Sequence, residues 1–166
     1  MQRDSSEPSS AVLSGARHTA RAILLQGDFL VLIRRLQPSR GPEPYWVTVG
    51  GGIEPGDAGP EDTMRREVKE EVGGVVGPAQ QVLVLAEPKE EGERLTYFFL
   101  ALLESMDTSN RVGEEFSIPG RGTYDVEKIP FTRDAITSIK LQPEELATYL
   151  ASNVDGLRLL AASMTA

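Results

Sequence analysis

Residues 50–74 read GGGIEPGDAGPEDTMRREVKEEVGG. A triple glycine opens the stretch, Pro60 stands where a helix can begin, and Gly73-Gly74 stands where one must stop. Between those signals Glu61 and Asp62 suit the positive end of a helix dipole, and Met64, Val68 and Val72 recur every four residues. The stretch therefore predicts a helix over Pro60–Val72 with one apolar stripe, entered from a glycine-rich loop. At about 3.6 residues per turn, Glu67, Glu70 and Glu71 share one face of that helix. Carboxylates at this spacing repel, by roughly a few tenths of a kcal/mol for each exposed pair. Arg66 and Lys69 can offset the repulsion, which leaves an ordinary solvated acidic face. A hard divalent cation, Mg²⁺ or Mn²⁺, offsets it too, with phosphate oxygens of a substrate completing its shell.

On the N-terminal side, residues 20–25 and 29–34 are apolar runs separated by Gln26-Gly27-Asp28, which predicts a hairpin. Residues 37–44 hold Pro38, Gly41 and Pro42 and read as a loop. Residues 45–49 read as a short strand running into the glycines. Beyond the helix, residues 81–86 and 95–103 are strand candidates, and the charged turn at 87–93 is given no function. Residues 107–131, with Gly113, Pro119, Gly120, Gly122 and Pro130, read as one long loop of the kind that serves function. Residues 135–141 read as a last strand. Residues 143–151 read as a helix burying Leu146, Tyr149 and Leu150, and 157–162 as a short terminal helix. This order of strands and helices predicts an α/β (α+β) fold, a mixed sheet flanked by helices.

The glycines and acidic helix together resemble the Nudix box, G-x5-E-x7-R-E-U-x-E-E-x-G-U, where U is a bulky apolar residue. Its second half matches as Arg66-Glu67-Val68-Lys69-Glu70-Glu71-Val72-Gly73. Two departures stand before the helix. Asp57 occupies the place of the family's first Glu, and eight residues rather than seven separate it from Arg66, an insertion around Ala58-Gly59. The final apolar position is Gly74. A loop is where such a length change is best tolerated. The resemblance covers about residues 17–150 through Arg21-Ala22-Ile23-Leu24-Leu25, Val31-Leu32-Ile33-Arg34, Tyr45-Trp46 and Leu141-Gln142-Pro143-Glu144-Glu145-Leu146; residues 107–131 match poorly.

The resemblance implies a Nudix-like αβα sandwich that hydrolyses the diphosphate linkage of a nucleoside diphosphate joined to another group, such as an NTP or a nucleotide sugar. It implies that Glu70 and Glu71 are the main ligands of Mg²⁺ or Mn²⁺, helped by a backbone carbonyl of the glycine stretch, with Gly51 the one expected. Glu67 would bind a second metal or help activate water, and Arg66 would hold Glu67 in place. Gly50, Gly51, Gly52 and Trp46 are expected at the substrate, although Trp46 reads first as a core residue. A further carboxylate from a late loop is expected, Glu115 ahead of Glu114 because Phe116 can pin it. The alternative is a nucleotide-binding or regulatory module with a degenerate site, suggested by Asp57 and the inserted residue.

The chain has 166 residues, 40% hydrophobic and 25% charged, which suits one globular domain over residues 16–166. Residues 1–15 are polar and Ser-rich, an expected flexible tail without the apolar segment of a secretory signal. The absence of cysteine excludes disulfides, thiolate metal sites and Cys nucleophiles, and a cytoplasmic location is expected. A net charge of −8 disfavours nucleic-acid polymers. A small phosphorylated substrate can still enter once divalent cations reverse the local field. No apolar run approaches the roughly 20 residues that span a bilayer, so no membrane partner is expected. His18, the one histidine, reads as a strand-edge residue rather than a catalytic base. A homodimer is expected only if the N-terminal hairpin leaves an apolar face uncovered.

Overall fold

The structure is a computed structural model and describes residues 16–110 and 122–165. The first hairpin forms as its sequence dictates. Strands β1 (Ala16–Gln26) and β2 (Phe29–Leu36) turn back at Gly27, whose φ of 58° favours glycine. β1 is the axis of the sheet. Its outer end pairs with β2 from Leu24↔Val31 to Gln26↔Phe29. Along its other edge it runs parallel to β6 (Glu93–Met106), from Ala16↔Glu93 to Leu25↔Leu102.

The glycines are not a loop. Residues 45–49 divide at Thr48 into β3 (Tyr45–Val47) and β4 (Val49–Gly52), and β4 pairs antiparallel with β1, Ala20 opposite Gly51 and Arg21 opposite Gly50. Glycine's weak strand preference hides this from the sequence; the backbone partner on β1 overrides it. Helix α1 spans Pro60–Val72, the predicted bounds. β5 (Gly74–Pro88) and β6 are longer than their apolar cores and form an edge hairpin with three register shifts.

The reading of residues 107–131 as one loop is corrected at its end. β7 (Thr123–Pro130) pairs with β2 over its whole length, from Leu36↔Thr123 to Phe29↔Pro130. The expected strand at 135–141 is instead helix α2 (Arg133–Thr137), capped by the Thr132 hydroxyl accepting from Ala135 N–H at 3.2 Å, followed by the two-residue β8 (Leu141–Gln142). The two expected C-terminal helices are one, α3 (Glu144–Met164), broken at Asn153 (φ −127°, ψ 17°), where the Asn153 amide donates to Tyr149 O at 2.8 Å.

Among the described residues, eight strands thus form one sheet with helices on both faces, the expected αβα sandwich. On one face Met64, Val68 and Val72 of α1 pack on Ala20, Ala22, Leu24 and Phe99. On the other, Ile136, Leu146 and Leu150 of α2 and α3 pack on Ile23, Leu25, Phe98 and Leu100. Both faces of the first hairpin are therefore covered, and of its large apolar side chains Phe29 is the one exposed, at 45%. Among the described residues, no helix is long and apolar enough to cross a membrane.

Phe131 ties the corrected segment to the core. Its side chain is 1% exposed, its N–H donates to Asp28 O at 2.8 Å, and its carbonyl accepts from Arg158 NH2 at 2.7 Å. Phe131→Ala is expected to destabilise the protein by about 3–5 kcal/mol in urea unfolding, the usual cost of emptying a phenyl site. A loss under about 1 kcal/mol would mean that the segment does not contribute to the core.

Candidate active site

The apolar stripe of α1 sets the rotation of its acidic face. Met64, Val68 and Val72 are fully buried, and Gly73 ends the helix in the left-handed region at φ 61°, donating to Lys69 O at 3.0 Å. Arg65 donates to Val76 O at 2.7 Å and Gly77 O at 2.9 Å, which clamps the helix to the start of β5. With the helix so fixed, Glu67 is almost wholly buried and Glu71 accepts from Gly50 N–H at 3.0 Å.

Arg66 organises the acidic residues. Its Nε and NH2 bond the two oxygens of Asp57 at 2.9 and 3.0 Å, and NH2 also reaches Gly52 O at 3.2 Å. NH1 lies 3.1 Å from Glu67 Oε1, 3.2 Å from Glu70 Oε2 and 3.7 Å from Glu54 Oε1. The expected contact with Glu67 is present, but the principal partner is Asp57. Asp57 also accepts from Thr63 Oγ1 at 2.7 Å and Glu54 N–H at 2.9 Å, so the inserted residue is absorbed and the shorter side chain still reaches the helix. Arg66, then those N–H and O–H donors, hold the Asp57 carboxyl well below the usual carboxylate range. Asp57, and then Glu67 and Glu70, hold the Arg66 proton more firmly than usual against the opposing effect of burial.

Gly51 has a steric reason to be glycine. A Cβ there would fall 2.5 Å from Glu67 Oε1 and 2.6 Å from its carboxyl carbon. Strand and carboxylate touch because position 51 has no side chain. A Cβ on Gly50 would overlap Arg21, which donates to Thr48 O at 2.6 Å. Burial pushes the Arg21 pKa below its ordinary value, while Glu71 and Glu67 act in the other direction.

The structure thus brings Arg66, Glu67, Glu70, Glu71, Gly50, Gly51 and Gly52 together. Lys69 is exposed and forms no ion pair among the described residues, so Arg66 rather than Lys69 answers the acidic face. Trp46 packs with the core of α2 and α3 on the other sheet face, under the Arg34 guanidinium at 5.8 Å. His18 is not at a strand edge: it pairs with Leu95 of β6 near the start of β1, its ring is hydrogen-bonded to the Tyr97 hydroxyl at 3.1 Å, and it borders an open hollow of about 590 Å³ with Gly52, Ile53, Glu54 and Glu67. Glu114 and Glu115 lie outside the described residues. Sequence reasoning missed Arg21; a lone charge inside the apolar run of β1 was its signal.

The Asp57 contact makes a pH prediction. A folded-state pKa below the unfolded value means that its stabilisation is complete above about pH 4, the ordinary carboxylate value, and is lost as pH falls below it. Thermal melts of Asp57→Asn are expected to show a lower Tm than wild type at pH 7, with the gap narrowing toward pH 3. A gap that is constant or widens on acidification would remove the ion pair as its cause.

The NUDIX domain family profile matches residues 16–141. The nucleoside triphosphatase NudI of Escherichia fergusonii is 43% identical over 51 residues, 30% of this chain and 36% of that protein. NudI of Salmonella schwarzengrund matches to the same extent, so the similarity spans about a third of the length of these curated relatives. Among solved structures, a NUDIX hydrolase from Nitrosomonas europaea superposes with a TM-score of 0.64 at 18% identity, covering 83% of this chain and 87% of that one. The E. coli ORF135 protein gives 0.58 at 17% identity, covering 86% and 91%. These identities speak for the fold, while the profile extends from β1 through α1 to Leu141. The chain belongs to the Nudix family.

Proposed function

We propose that the protein is a pyrophosphohydrolase that cleaves the diphosphate linkage of a nucleoside diphosphate derivative, with Mg²⁺ or Mn²⁺ as cofactor. The observation that carries this reading is the contact of β4 with the acidic face of α1: Glu67 lies against Gly51 and is bonded by Arg66, and Glu71 accepts from Gly50 N–H. Five carboxylates, from Glu54, Asp57, Glu67, Glu70 and Glu71, gather around the two guanidinium groups of Arg66 and Arg21. Negative charge remains in excess.

The donor set suits a hard cation in kind, being all oxygen with no thiol or imidazole among the carboxylates. Among the described residues no three carboxyl side chains converge on one point. Mg²⁺ does not require that, since it binds through one or two carboxylates and fills its shell with water and substrate phosphate. Glu70 and Glu71, with the Gly51 carbonyl, would hold the ion. When bound, it neutralises charge building on phosphoryl oxygens and acidifies the attacking water.

The chain's own residues have separate tasks. Arg66 bonds the Glu67 carboxylate, which borders the hollow with His18 and in this reading would accept a proton there. The N–H of Gly50 orients Glu71. The NudI relatives carry the name nucleoside triphosphatase, which favours a nucleoside triphosphate as substrate. The alternative, a degenerate binding module, rests on Asp57 and the inserted residue; the bidentate contact of Asp57 with Arg66 supports the hydrolase reading over it.

A phosphate-release screen over nucleoside triphosphates, nucleotide sugars and dinucleoside polyphosphates with Mg²⁺ or Mn²⁺ tests the reading. Glu71→Gln is expected to lower turnover about 100-fold or more, and to reduce the rise in Tm that the metal gives wild type. Asp57→Ala, removing a support rather than a ligand, is expected to cost less. Near-normal turnover of Glu71→Gln at saturating metal would overturn the assignment of this face.

A further inference from the structure

A second cavity, of about 260 Å³, opens where β1, β2, β5 and β6 meet the segment before β3. Its walls carry Arg21, Arg35, Arg40, Lys89 and Arg94 against one carboxylate, Glu87. The whole chain has 17 Lys and Arg and a net charge of −8, so five cations around one cavity run against the composition of the molecule. The protein's own acceptors answer them only in part. Arg21 donates to Thr48 O at 2.6 Å, Arg40 to the Tyr45 hydroxyl at 3.2 Å, and Lys89 Nζ lies 3.6 Å from Glu87. Arg94 Nε is buried with no hydrogen-bond partner among the described residues.

The guanidinium groups are held rather than loose. Arg35 lies 3.5 Å above the Tyr124 ring with Nε on Thr123 O at 3.0 Å, and Arg40 lies 5.1 Å above the ring of Tyr45. Stacked, oriented guanidinium forks match phosphate better than they match a hydroxyl-rich sugar, which offers them no charge. The cavity also joins the acidic face. Arg21 lines it, packs against Gly50, and interacts electrostatically with both Glu71 and Arg94.

We propose that this cavity holds a second anionic group of the substrate, a phosphate beyond the scissile linkage, which makes the substrate a polyphosphorylated nucleotide rather than a nucleotide sugar. The substrate class rests on the hydrolase reading; the cavity's preference for phosphate does not. Two sources supply that chemistry, the end of a triphosphate chain and a phosphate monoester elsewhere on the nucleotide.

Calorimetric titration with inorganic tripolyphosphate in EDTA probes the cavity without metal or turnover. Binding to wild type is expected, weakened about tenfold in Arg94→Gln and in the Arg40→Gln, Lys89→Gln double variant, as for lost charge-assisted contacts. Arg40 and Lys89 are exposed, so the double variant carries the test should Arg94→Gln fail to fold. No binding by wild type, or equal binding by the folded variants, overturns the proposal. In parallel, kcat/KM is compared for ATP, adenosine 3′-phosphate 5′-diphosphate and ADP-ribose. Preference for either of the first two supports the proposal and names the source, with the variants' loss expected in KM; equal or better use of ADP-ribose overturns the substrate class. Tripolyphosphate binding without turnover of any nucleotide would overturn the hydrolase reading and leave the anion cavity supported.

Discussion

The guanidinium of Arg66 lies between the loop that follows β4 and the acidic face of α1, and the geometry of the site follows from how its donors are divided. Two go to Asp57 in a parallel pair, one of these is shared with the Gly52 carbonyl, and NH1 serves Glu67 and Glu70. Bidentate, charge-assisted bonds fix direction as well as distance. They set the closure of the loop, the approach of helix to strand, and the spacing of carboxylates that would otherwise repel. Asp57 is only 5% exposed in its side chain, so solvent competes little for this contact.

Elements with local signals were legible. Pro60, Glu61, Asp62 and Gly73 mark both ends of α1 within the element itself, and the bounds agree with the structure. β7 was not legible. Asp125, Glu127 and Lys128 mask the alternation of Tyr124 and Val126, and what makes the segment a strand is the backbone of β2, about ninety residues earlier in the chain. The α2 segment carries Ile136 and Thr137, which suggest a strand, and the Thr132 cap decided otherwise. Tertiary partners in the first case and capping in the second outweighed propensity.

The site divides in the same way. The acidic helix face could be read because helical periodicity brings Glu67, Glu70 and Glu71 together without help from the rest of the chain. The cations of the second cavity come from five separate segments, and no spacing rule links Arg21 to Arg35, Arg40, Lys89 and Arg94. Asp57 was legible as a departure from a motif, and its length, one methylene short, became intelligible only with the inserted residue and Arg66 in view.

The parallel pairing of β1 with β6 bears on how the protein is made. It joins residues 77 apart in the chain, and closing so long a loop costs entropy before ladder bonds offset it. During synthesis, the first hairpin and α1 can take shape from neighbouring residues while β6 is still unmade. Arg94 reaches Arg21 only when β6 docks along β1. Arg21, Arg35 and Arg40 are already made when α1 forms, so the late, long-range docking of β6 completes the basic cavity by bringing Arg94 to a charge already waiting on β1.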